Sequence, residues 1–548
     1  MKAMIAALMA LGLGVSPAAH AEPPGGPSSI QGLFAAYTPR TPGCAVGVEQ
    51  DGKTLFQGGF GTADLERHAP ITATTRFYMA SVSKQLTALN IVLLAESGQI
   101  DLRASVRTYL PELPPYMQPV TILGMLTHTS GVRDYFQLAA LSGASGDKAF
   151  TEKDVLDAVS AQDALNFEPG SEFLYSNSGY VLLAIVAERI TGRSFNDLAN
   201  QQVFAPLGMS STFFQHHHDA VVPDKANGYA AQDKTWTISN SNLDVVGDGG
   251  LYSNVEDMLR WLKNLDSPTV GAEALKTMEI PFTLTNGKST GYGMGLDVGT
   301  YRGLRVIEHG GALAGYRTAD MWFPSEKFGV VVLCNDAGAR PSDKVRKIAE
   351  LYLAGRLAPA PVRRPAEAAT FTPAPGELVP LAGFYRSPDG SYVDLVEKAG
   401  QLQLKGTTIM LRAVNRRVFI AADQDSEARI TFDAGGTPAG LTLADGDEPA
   451  TRFDRVTKTS FSAQERAALV GDYSSPGLNV TYHISDGPDG LTIAIGQKPP
   501  FPLKVVGPGR LLIDQFGAEL SLSHDETGRV TGFSLDFGRV KHVRFHRI

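Results

Sequence analysis

The chain has 548 residues, of which 43% are hydrophobic and 19% are charged. One hydrophobic core rarely supports more than about 250–300 residues, so this length predicts at least two domains. The 49 Lys and Arg against 57 Asp and Glu give a net charge of -8, and the mean hydropathy is -0.07. These values exclude a polycation that binds nucleic acid, a polytopic membrane protein and a chain that is disordered throughout.

The first 21 residues have the pattern of a secretory signal peptide. Lys2 supplies a positive charge, residues 3–15 are apolar, and Ala19-His20-Ala21 matches a small-residue cleavage site. The alternative is a retained anchor, but the apolar run is shorter than the ~20 residues that a membrane-spanning helix needs. We therefore expect cleavage before Glu22, export to the periplasm or medium, and no membrane span in the mature chain.

Cys44 and Cys334 are the two cysteines of the chain. Both lie in apolar, strand-like runs, at residues 44–48 and 330–334. They could pair in an oxidising compartment, but two cysteines in so long a chain do not form a disulfide framework. The sequence favours two small, unpaired residues in the core.

A stretch rich in Pro and Ala divides the chain into two unlike parts. Residues 358–380 contain few large apolar side chains and cannot hold a helix, so we predict a linker at 358–378. Before it, helical and strand-like segments alternate in one predicted domain, residues 22–357. The predicted helices of that domain are 83–97, 151–160, 179–190, 255–265 and 342–354.

The part after the linker contains short strand-like segments and a weak internal repeat. Leu381-Ala-Gly-Phe-Tyr385 resembles Leu469-Val-Gly-Asp-Tyr473, 88 residues later. Each copy spans about 80–90 residues, enough for a small closed barrel of roughly eight strands. The alternative is chance similarity between turn-rich strands. We predict two antiparallel β-barrel domains, at residues 379–458 and 459–548.

The strongest chemical signal is Ser81-Val-Ser-Lys84, at the start of an apolar run that predicts a buried helix. Positions i and i+3 are neighbours on a helix, so the Lys84 ammonium would lie beside the Ser81 hydroxyl. Burial lowers the pKa of a lysine and makes it a usable base. The alternative, a helix-capping Ser81 with a solvated Lys84, fits poorly in so apolar a helix. Ser145-Gly-Asp-Lys148 also matches S-x-x-K, but it lies in a predicted loop.

A possible metal site at His216-His-His-Asp219 is disfavoured. Adjacent histidines on a strand point to opposite sides, and no Cys or carboxylate pattern in the sequence completes a ligand shell. We predict no metal and no cofactor.

Four further motifs follow in order, namely LTHTSG at 126–131, FEPGSEFLYSNSGY at 167–180, GGLYSN at 249–254 and EHGGA at 308–312. Together with Ser81 and Lys84 they resemble the serine β-lactamase and penicillin-binding-protein superfamily, closest to its class C and D-aminopeptidase branch, over about residues 41–354. The resemblance implies an α+β fold, in which a β-lactamase/transpeptidase-like catalytic domain, with helices around an antiparallel sheet, precedes the two barrels.

The resemblance implies that Ser81 is the nucleophile and Lys84 its general base, and that Tyr175 and Asn177 form the Y-x-N motif. A tyrosine hydrogen-bonded to a lysine can carry a proton between the nucleophile and a leaving amine. Tyr252 starts a second Y-x-N match. We prefer Tyr175, because it follows the Phe-Glu-Pro-Gly segment that precedes the catalytic tyrosine in the family.

His309-x-Gly311 stands where many relatives have Lys-Thr-Gly, and the resemblance implies an oxyanion hole formed by the backbone N–H groups of Ser81 and Ala312. We include His309 among the catalytic residues. A histidine is mostly neutral near pH 7 and holds a carboxylate less well than a lysine. This difference argues against an efficient β-lactamase or D,D-carboxypeptidase and favours an esterase or aminopeptidase.

The resemblance to D-aminopeptidases also implies that a loop of the last domain closes the active site and that an acidic group meets the substrate amine. The loop expected here is 496–502, which contains Lys498 and no acid. Because Lys498 would repel an ammonium group, we expect weak activity on free amines and better activity on esters or N-acylated substrates.

The sequence therefore predicts a secreted serine hydrolase that forms an acyl-enzyme on Ser81 and cleaves short amides, peptides or esters, D-amino-acid peptides among them. One alternative is a class C-like esterase or weak β-lactamase, and another is a penicillin-binding or sensor protein without turnover. The expected partner is a small molecule or a short peptide. The oligomeric state and the stereochemistry of the substrate stay open.

Overall fold

A computed structural model of the chain describes residues 27–144, 149–233, 235–359, 371–374, 376–388, 390–407, 409–422, 427–445, 450–457, 460–496 and 498–548. The predicted signal peptide, the S-x-x-K match at 145–148 and most of the predicted linker lie outside these residues. Among the described residues, no helix is both long and apolar enough to cross a bilayer.

The first part of the chain folds into helices around a central sheet. The helices are α1 (Pro27–Leu33), α2 (Ser83–Glu96), α3 (Ile122–Leu126), α4 (Tyr135–Leu141), α5 (Glu152–Ser160), α6 (Asn177–Thr191), α7 (Phe195–Ala199), α8 (Ala205–Leu207), α9 (Val255–Asp266), α10 (Ala272–Met278) and α11 (Pro341–Tyr352). The five helices predicted from periodicity appear as α2, α5, α6, α9 and α11, and each end lies within two residues of the prediction.

The strands of this part are β1 (Cys44–Gln50), β2 (Lys53–Phe60), β3 (Thr62–Asp64), β4 (Ala69–Pro70), β5 (Phe77–Tyr78), β6 (Phe150–Thr151), β7 (Phe213–Phe214), β8 (Tyr229–Gln232), β9 (Thr235–Ile238), β10 (Leu243–Asp244), β11 (Leu251–Ser253), β12 (Asp297–Tyr301), β13 (Leu304–Leu313), β14 (Tyr316–Phe323) and β15 (Phe328–Cys334). Six of them form an antiparallel sheet in the order β12-β13-β14-β15-β1-β2.

Helices cover both faces of the central sheet. Along β1, Ala45 belongs to the large core that contains α2, α6 and α9, whereas Val46 and Val48 belong to a second core that contains α1 and α11. Successive residues of a strand point to opposite faces, and both faces are apolar here. This double burial explains why β1 and β15 are almost continuously hydrophobic in sequence.

Cys44 and Cys334 form a disulfide between β1 and β15, so the preference for two unpaired cysteines is wrong. Both cysteines are fully buried, as expected. They are direct partners in the antiparallel register, and their side chains lie on the same face of the sheet. Strand pairing brings them together across 290 residues, which spacing along the sequence does not reveal.

Two closed eight-stranded barrels follow, which confirms the predicted barrel architecture. The first contains β16 (Gly383–Arg386), β17 (Tyr392–Lys398), β18 (Gln401–Leu404), β19 (Met410–Ala413), β20 (Val418–Ala422), β21 (Glu427–Phe432), β22 (Gly440–Asp445) and β23 (Thr451–Arg455). After α12 (Ala463–Leu469), the second contains β24 (Gly471–Ser475), β25 (Val480–Gly487), β26 (Gly490–Ile495), β27 (Phe501–Gly507), β28 (Arg510–Ile513), β29 (Ala518–His524), β30 (Val530–Phe537) and β31 (Val540–Arg547).

The sequence repeat corresponds to a repeated contact at the start of each barrel. Tyr385 donates a hydrogen bond to the Leu381 carbonyl, and Tyr473 donates one to the Leu469 carbonyl, both at 2.8 Å. The 88-residue repeat thus preserves a buried tyrosine that ties the first strand of each barrel to the segment before it.

The second barrel packs directly on the domain that precedes the linker. Leu138 and Leu141 of α4 belong to the hydrophobic core of this barrel. Tyr482 of β25 donates a hydrogen bond to the Leu141 carbonyl at 2.7 Å, and Gln162 donates one to the Gly477 carbonyl at 2.6 Å. The second barrel is therefore positioned to add residues to a site on that domain.

Candidate active site

Ser81 faces a cavity of about 990 Å³ whose walls include the starts of α2 and α6 and the end of β13. It lies in a single 3-10 turn, Ala80–Val82, directly before α2. Ala80 has a left-handed backbone with φ 47°, a conformation that costs a non-glycine residue about 1–3 kcal/mol. The Ser83 hydroxyl donates to the Ala80 carbonyl at 2.5 Å and holds this turn. The strained turn fixes Ser81 toward the cavity.

Lys84 is fully buried next to Ser81. Its Nζ lies 3.3 Å from Ser81 Oγ, 2.9 Å from Asn177 Oδ1 and 2.7 Å from the main-chain oxygen of Asp248. It also lies 4.8 Å from the centre of the Tyr175 ring. The lysine predicted from S-x-x-K spacing is therefore within proton-transfer distance of the serine.

Burial lowers the pKa of Lys84 to about 7. The Asp248 and Asp134 carboxylates oppose this shift because they favour the ammonium form, and the Arg539 guanidinium adds to it. A substantial fraction of Lys84 is thus neutral near pH 7. A neutral amine can accept the proton of a serine hydroxyl.

Asn177 begins α6 and connects Lys84 to a buried carboxylate. Its backbone N–H and its side-chain Nδ2 both donate to Asp134 Oδ2, at 2.8 and 2.9 Å. These bonds fix the amide so that its Oδ1 faces Lys84. Asn177 therefore accepts a hydrogen bond from Lys84 and also fixes the start of α6 to Asp134.

Tyr175 lines the cavity beside Ser81. Burial raises the pKa of its phenol, and the neighbouring Ser81 hydroxyl and Arg539 guanidinium oppose the increase. The phenol is consequently neutral at pH 7 and can donate a proton. Tyr252, the second Y-x-N tyrosine, is buried against Tyr78 and Phe213.

His309 lies on β13 and is buried and neutral at pH 7. Burial, with a smaller contribution from Lys84, lowers its pKa to about 4. Its Nδ1 lies 2.8 Å from the Gly310 carbonyl and must carry the proton, so Nε2 accepts from the Tyr292 hydroxyl at 3.0 Å. His309 cannot supply the fixed positive charge of a lysine at this position.

Gly311 brings β13 against the Ala80–Val82 turn that carries Ser81. A Cβ at this position would clash with the Thr318 hydroxyl and the Met79 carbonyl oxygen, and it would lie 3.1 Å from the Ser81 nitrogen. Ala312 follows on the wall of the cavity. The end of β13 is therefore in contact with the turn that carries Ser81.

The cavity is closed by a different part of the second barrel from the one expected. Gly538 and Arg539, in the turn between β30 and β31, line the cavity. Described residues of the 496–502 loop do not, and the Lys498 side chain lies next to Gly143 instead. The expectation about Lys498 is therefore wrong, because the barrel is oriented with its last hairpin toward Ser81.

Motif matching missed several buried polar residues around the site. Asp134 and Asp248 flank Lys84, and His128 packs its ring 4.0 Å from that of Tyr175. Asp134 and His128 lie within stretches that the resemblance already covers. The sequence does not show their buried contacts with the site, and motif matching therefore missed them. Arg539 carries no signal in the sequence.

Two carboxylates lie near His216, although the sequence showed no carboxylate pattern that completes a ligand shell. Glu152 of α5 and Glu188 of α6 have oxygens 3.8 and 3.7 Å from the His216 ring nitrogens. The possible donor atoms of the three residues lie within 4.8 Å of one another. Burial, together with Glu188, raises the pKa of Glu152 to about 7. The absence of a bound metal stays a prediction.

A family model described as Beta-lactamase matches residues 2–354. A D-aminopeptidase of Gluconobacter oxydans is 32% identical over 301 residues, which cover 54% of this chain and 56% of that protein. The match thus spans little more than half the length of that relative. A D-aminopeptidase of Brucella anthropi is 25% identical over 526 residues, which cover 92% of this chain and 95% of that protein.

A solved structure, the octameric penicillin-binding protein homologue from Pyrococcus abyssi, aligns with a TM-score of 0.55 and 23% identity. The alignment covers 78% of this chain and 98% of that one. At this level of identity the likeness concerns the fold.

Proposed function

Since the chain belongs to the Beta-lactamase family, in the D-aminopeptidase branch of the serine hydrolases, we propose that it works through an acyl-enzyme on Ser81. The observation that carries this proposal is the buried Lys84 amine, 3.3 Å from Ser81 Oγ with a pKa lowered to about 7. A serine that faces a cavity is an activated nucleophile when a buried, partly neutral lysine lies beside it.

In the acylation step, neutral Lys84 accepts the Ser81 proton while Oγ attacks the substrate carbonyl. The developing oxyanion is held by the N–H groups of Ser81 and Ala312. Tyr175 gives its proton to the leaving nitrogen or oxygen and recovers one from the Lys84 ammonium, so the lysine is neutral again. Water then attacks the ester on Ser81, and the same groups return its proton to Ser81.

We further propose short amides, peptides or esters as substrates, with D-amino-acid peptides among them. The D-aminopeptidase relatives support this choice, and the second barrel at the cavity limits substrate length. Esterase activity is the second candidate, because the neutral His309 leaves β13 without a fixed positive charge for a carboxylate.

A labelling experiment with matched variants tests the acyl-enzyme. A fluorophosphonate should modify Ser81, as located by peptide mass spectrometry, and Ser81→Ala should lose both labelling and turnover. Ser523→Ala, on the exposed side of the second barrel, is the control and should keep both. An adduct on another serine, or turnover by Ser81→Ala, would contradict the mechanism.

The substrate class is tested with D- and L-aminoacyl p-nitroanilides, p-nitrophenyl esters and nitrocefin. We expect turnover of the p-nitroanilides and of the p-nitrophenyl esters, and weak turnover of nitrocefin. Binding of penicillin with no turnover of any of these compounds would support a penicillin-binding or sensor protein instead.

We also propose that the protein is exported with cleavage before Glu22. The buried Cys44–Cys334 disulfide supports this, because disulfides persist in oxidising compartments. Mass spectrometry of the protein purified from its native cells should give an N-terminus at Glu22. An uncleaved, cytoplasmic chain with two thiols would refute the proposal.

A further inference from the structure

The hairpin between β30 and β31 is fixed to the catalytic domain by hydrogen bonds to its backbone. Asn166 Nδ2 donates to the Arg539 carbonyl at 2.9 Å, and Asn166 Oδ1 accepts from the Lys541 N–H at 2.7 Å. The buried Arg133 guanidinium donates to the carbonyls of Lys541 and His542, both at 3.1 Å. These bonds, at Arg539 and at the start of β31, fix the backbone of Arg539 at the cavity.

The Arg539 side chain takes no part in these hydrogen bonds. Its guanidinium carbon lies 4.5 Å from the centre of the Tyr175 ring, and its side chain is 39% exposed. Among the residues that the structure describes, none accepts a hydrogen bond from its N–H groups. In the neighbouring Arg133, by contrast, Nε and both Nη atoms are all donors.

Asp134 is the one carboxylate in ion-pair range of Arg539 among the described residues, and it does not occupy the guanidinium. Asp134 Oδ2 lies 3.7 Å from Arg539 Nη1, too far for a hydrogen bond, and already accepts two bonds from Asn177. Its Oδ1 accepts from the Phe136 N–H at 3.0 Å. The planar donor fork of Arg539 thus remains open to the cavity.

The position of Arg539 indicates which part of a substrate it would contact. Tyr175 is the proposed proton donor to the leaving group, and Arg539 lies over its ring. A group bound by Arg539 therefore belongs to the leaving side of the scissile bond. His309, which lines the same cavity, carries no positive charge at pH 7.

We propose that Arg539 binds a carboxylate on the leaving group, so that the preferred substrates are short peptides whose leaving residue carries a free carboxylate. A guanidinium and a carboxylate form two parallel hydrogen bonds, which select this group over an amide or an ester. This inference rests on the proposed function and specifies its substrate class. It assigns to the second barrel the positive charge that the third motif lacks.

Matched substrate pairs test the proposal. D-Ala-Gly and D-Ala-Gly-amide differ in the carboxylate of the leaving residue alone, and the L pair controls for stereochemistry. Wild type should show a kcat/KM ratio of about tenfold or more in favour of the free acid. Arg539→Gln should bring this ratio near one, Arg539→Glu should invert it, and Arg539→Lys should restore part of it.

Arg544→Gln is the control for loss of a positive charge from the same barrel. Arg544 pairs with Asp163 at 3.0 Å and is not part of the cavity wall, so this variant should keep the wild-type ratio. Circular dichroism of each variant checks that the barrels are folded.

The outcomes separate this proposal from the acyl-enzyme proposal. Labelling of Ser81 together with an equal wild-type preference for acid and amide would refute the role of Arg539 and leave the acyl-enzyme intact. An unchanged ratio in Arg539→Gln would do the same. Failure to label Ser81, with no hydrolysis of any substrate, would refute both.

Discussion

The charges around Lys84 determine how much of it is neutral at a given pH. Burial disfavours the ammonium, while Asp248 and Asp134 favour it. Asp248 is itself shifted, because burial raises its pKa to about 6. The Tyr135 hydroxyl donates to Asp248 Oδ2 at 3.0 Å, whereas Oδ1 has no hydrogen-bond partner among the described residues. These opposing effects hold the pKa of Lys84 at about 7.

The first prediction concerns pH. The deprotonated fraction of Lys84 rises with pH, so kcat/KM for a neutral ester should increase from acid through about pH 7 and then level off. Lys84→Arg should lower kcat/KM by about 10³-fold or more, because a guanidinium keeps its proton in this range. Lys153→Arg, at an exposed ion pair with Asp157, should leave the profile unchanged. A flat profile over pH 5–9 would argue against a titrating lysine base.

The second prediction concerns Gly311. Its Cα is packed against the backbone before Ser81, so the Cβ of Gly311→Ala would push β13 away from the turn that carries Ser81. We expect a loss of about 100-fold or more in kcat, the size typical for removal of an oxyanion donor. Gly299→Ala on β12 has open space around its Cβ and is the control. Steady-state kinetics on an ester and thermal unfolding of both variants are the measurements, and near-wild-type kcat in Gly311→Ala would rule out the proposed oxyanion site.

At the scale of secondary structure, β1 and β15 link distant parts of the catalytic domain. β15 lies between β14 and β1 in the sheet. β14 is the neighbour of β13, which carries the third motif, and β1 is the first strand of the sheet in chain order. The disulfide connects their ends at Cys44 and Cys334. It constrains the unfolded chain over a very long loop, which is where such bonds are expected to stabilise most.

The third prediction therefore concerns this bond. Cys44→Ala/Cys334→Ala should lower the free energy of unfolding by about 2–5 kcal/mol, in urea titrations followed by tryptophan fluorescence. Reductant should destabilise the wild type by a similar amount and leave the double variant unchanged. Equal stability of the wild type and the double variant would show that the two cysteines do not pair in solution.

Periodicity predicted the helices well because their burial is encoded locally. Val255–Asp266 and Pro341–Tyr352, for example, each present one apolar face to the central sheet. Ser81, Lys84 and Asn177 were found because each lies in a short motif. The disulfide and the two carboxylates at His216 were missed, since they depend on strand register and on helices that meet in space.

The orientation of the second barrel could not be predicted either. Its strands and turns can be predicted from the local sequence. Whether the 496–502 loop or the Gly538–Arg539 turn reaches the cavity depends on how the barrel packs on the catalytic domain. That choice is made by contacts such as those of Leu141 with Tyr482 and of Arg133 with the last hairpin. Arg539 therefore became visible as a site residue only in three dimensions.

At the scale of the whole molecule, Arg133 transmits the position of the second barrel to the active site. It is buried at the domain junction, and its guanidinium satisfies two carbonyls of the hairpin that carries Arg539. Arg539 in turn lowers the pKa of Lys84 and forms part of the cavity wall. A change at Arg133 should therefore affect both the pH dependence and the size of substrate accepted.

The last prediction tests this coupling with Arg133→Ala. The variant leaves the carbonyls of Lys541 and His542 without their donor, so the hairpin should withdraw from the cavity. When Arg539 moves away, a positive charge is removed from the surroundings of Lys84, so its ammonium is favoured and the acid limb of kcat/KM shifts to higher pH. The opened cavity should also raise the kcat/KM of a D-alanine tetrapeptide relative to the dipeptide. Arg544→Ala, which removes an exposed ion pair between the same barrel and Asp163, should change neither quantity. If Arg133→Ala lowers stability while pH profile and size preference stay as in the wild type, the barrel stabilises the catalytic domain without controlling its active site.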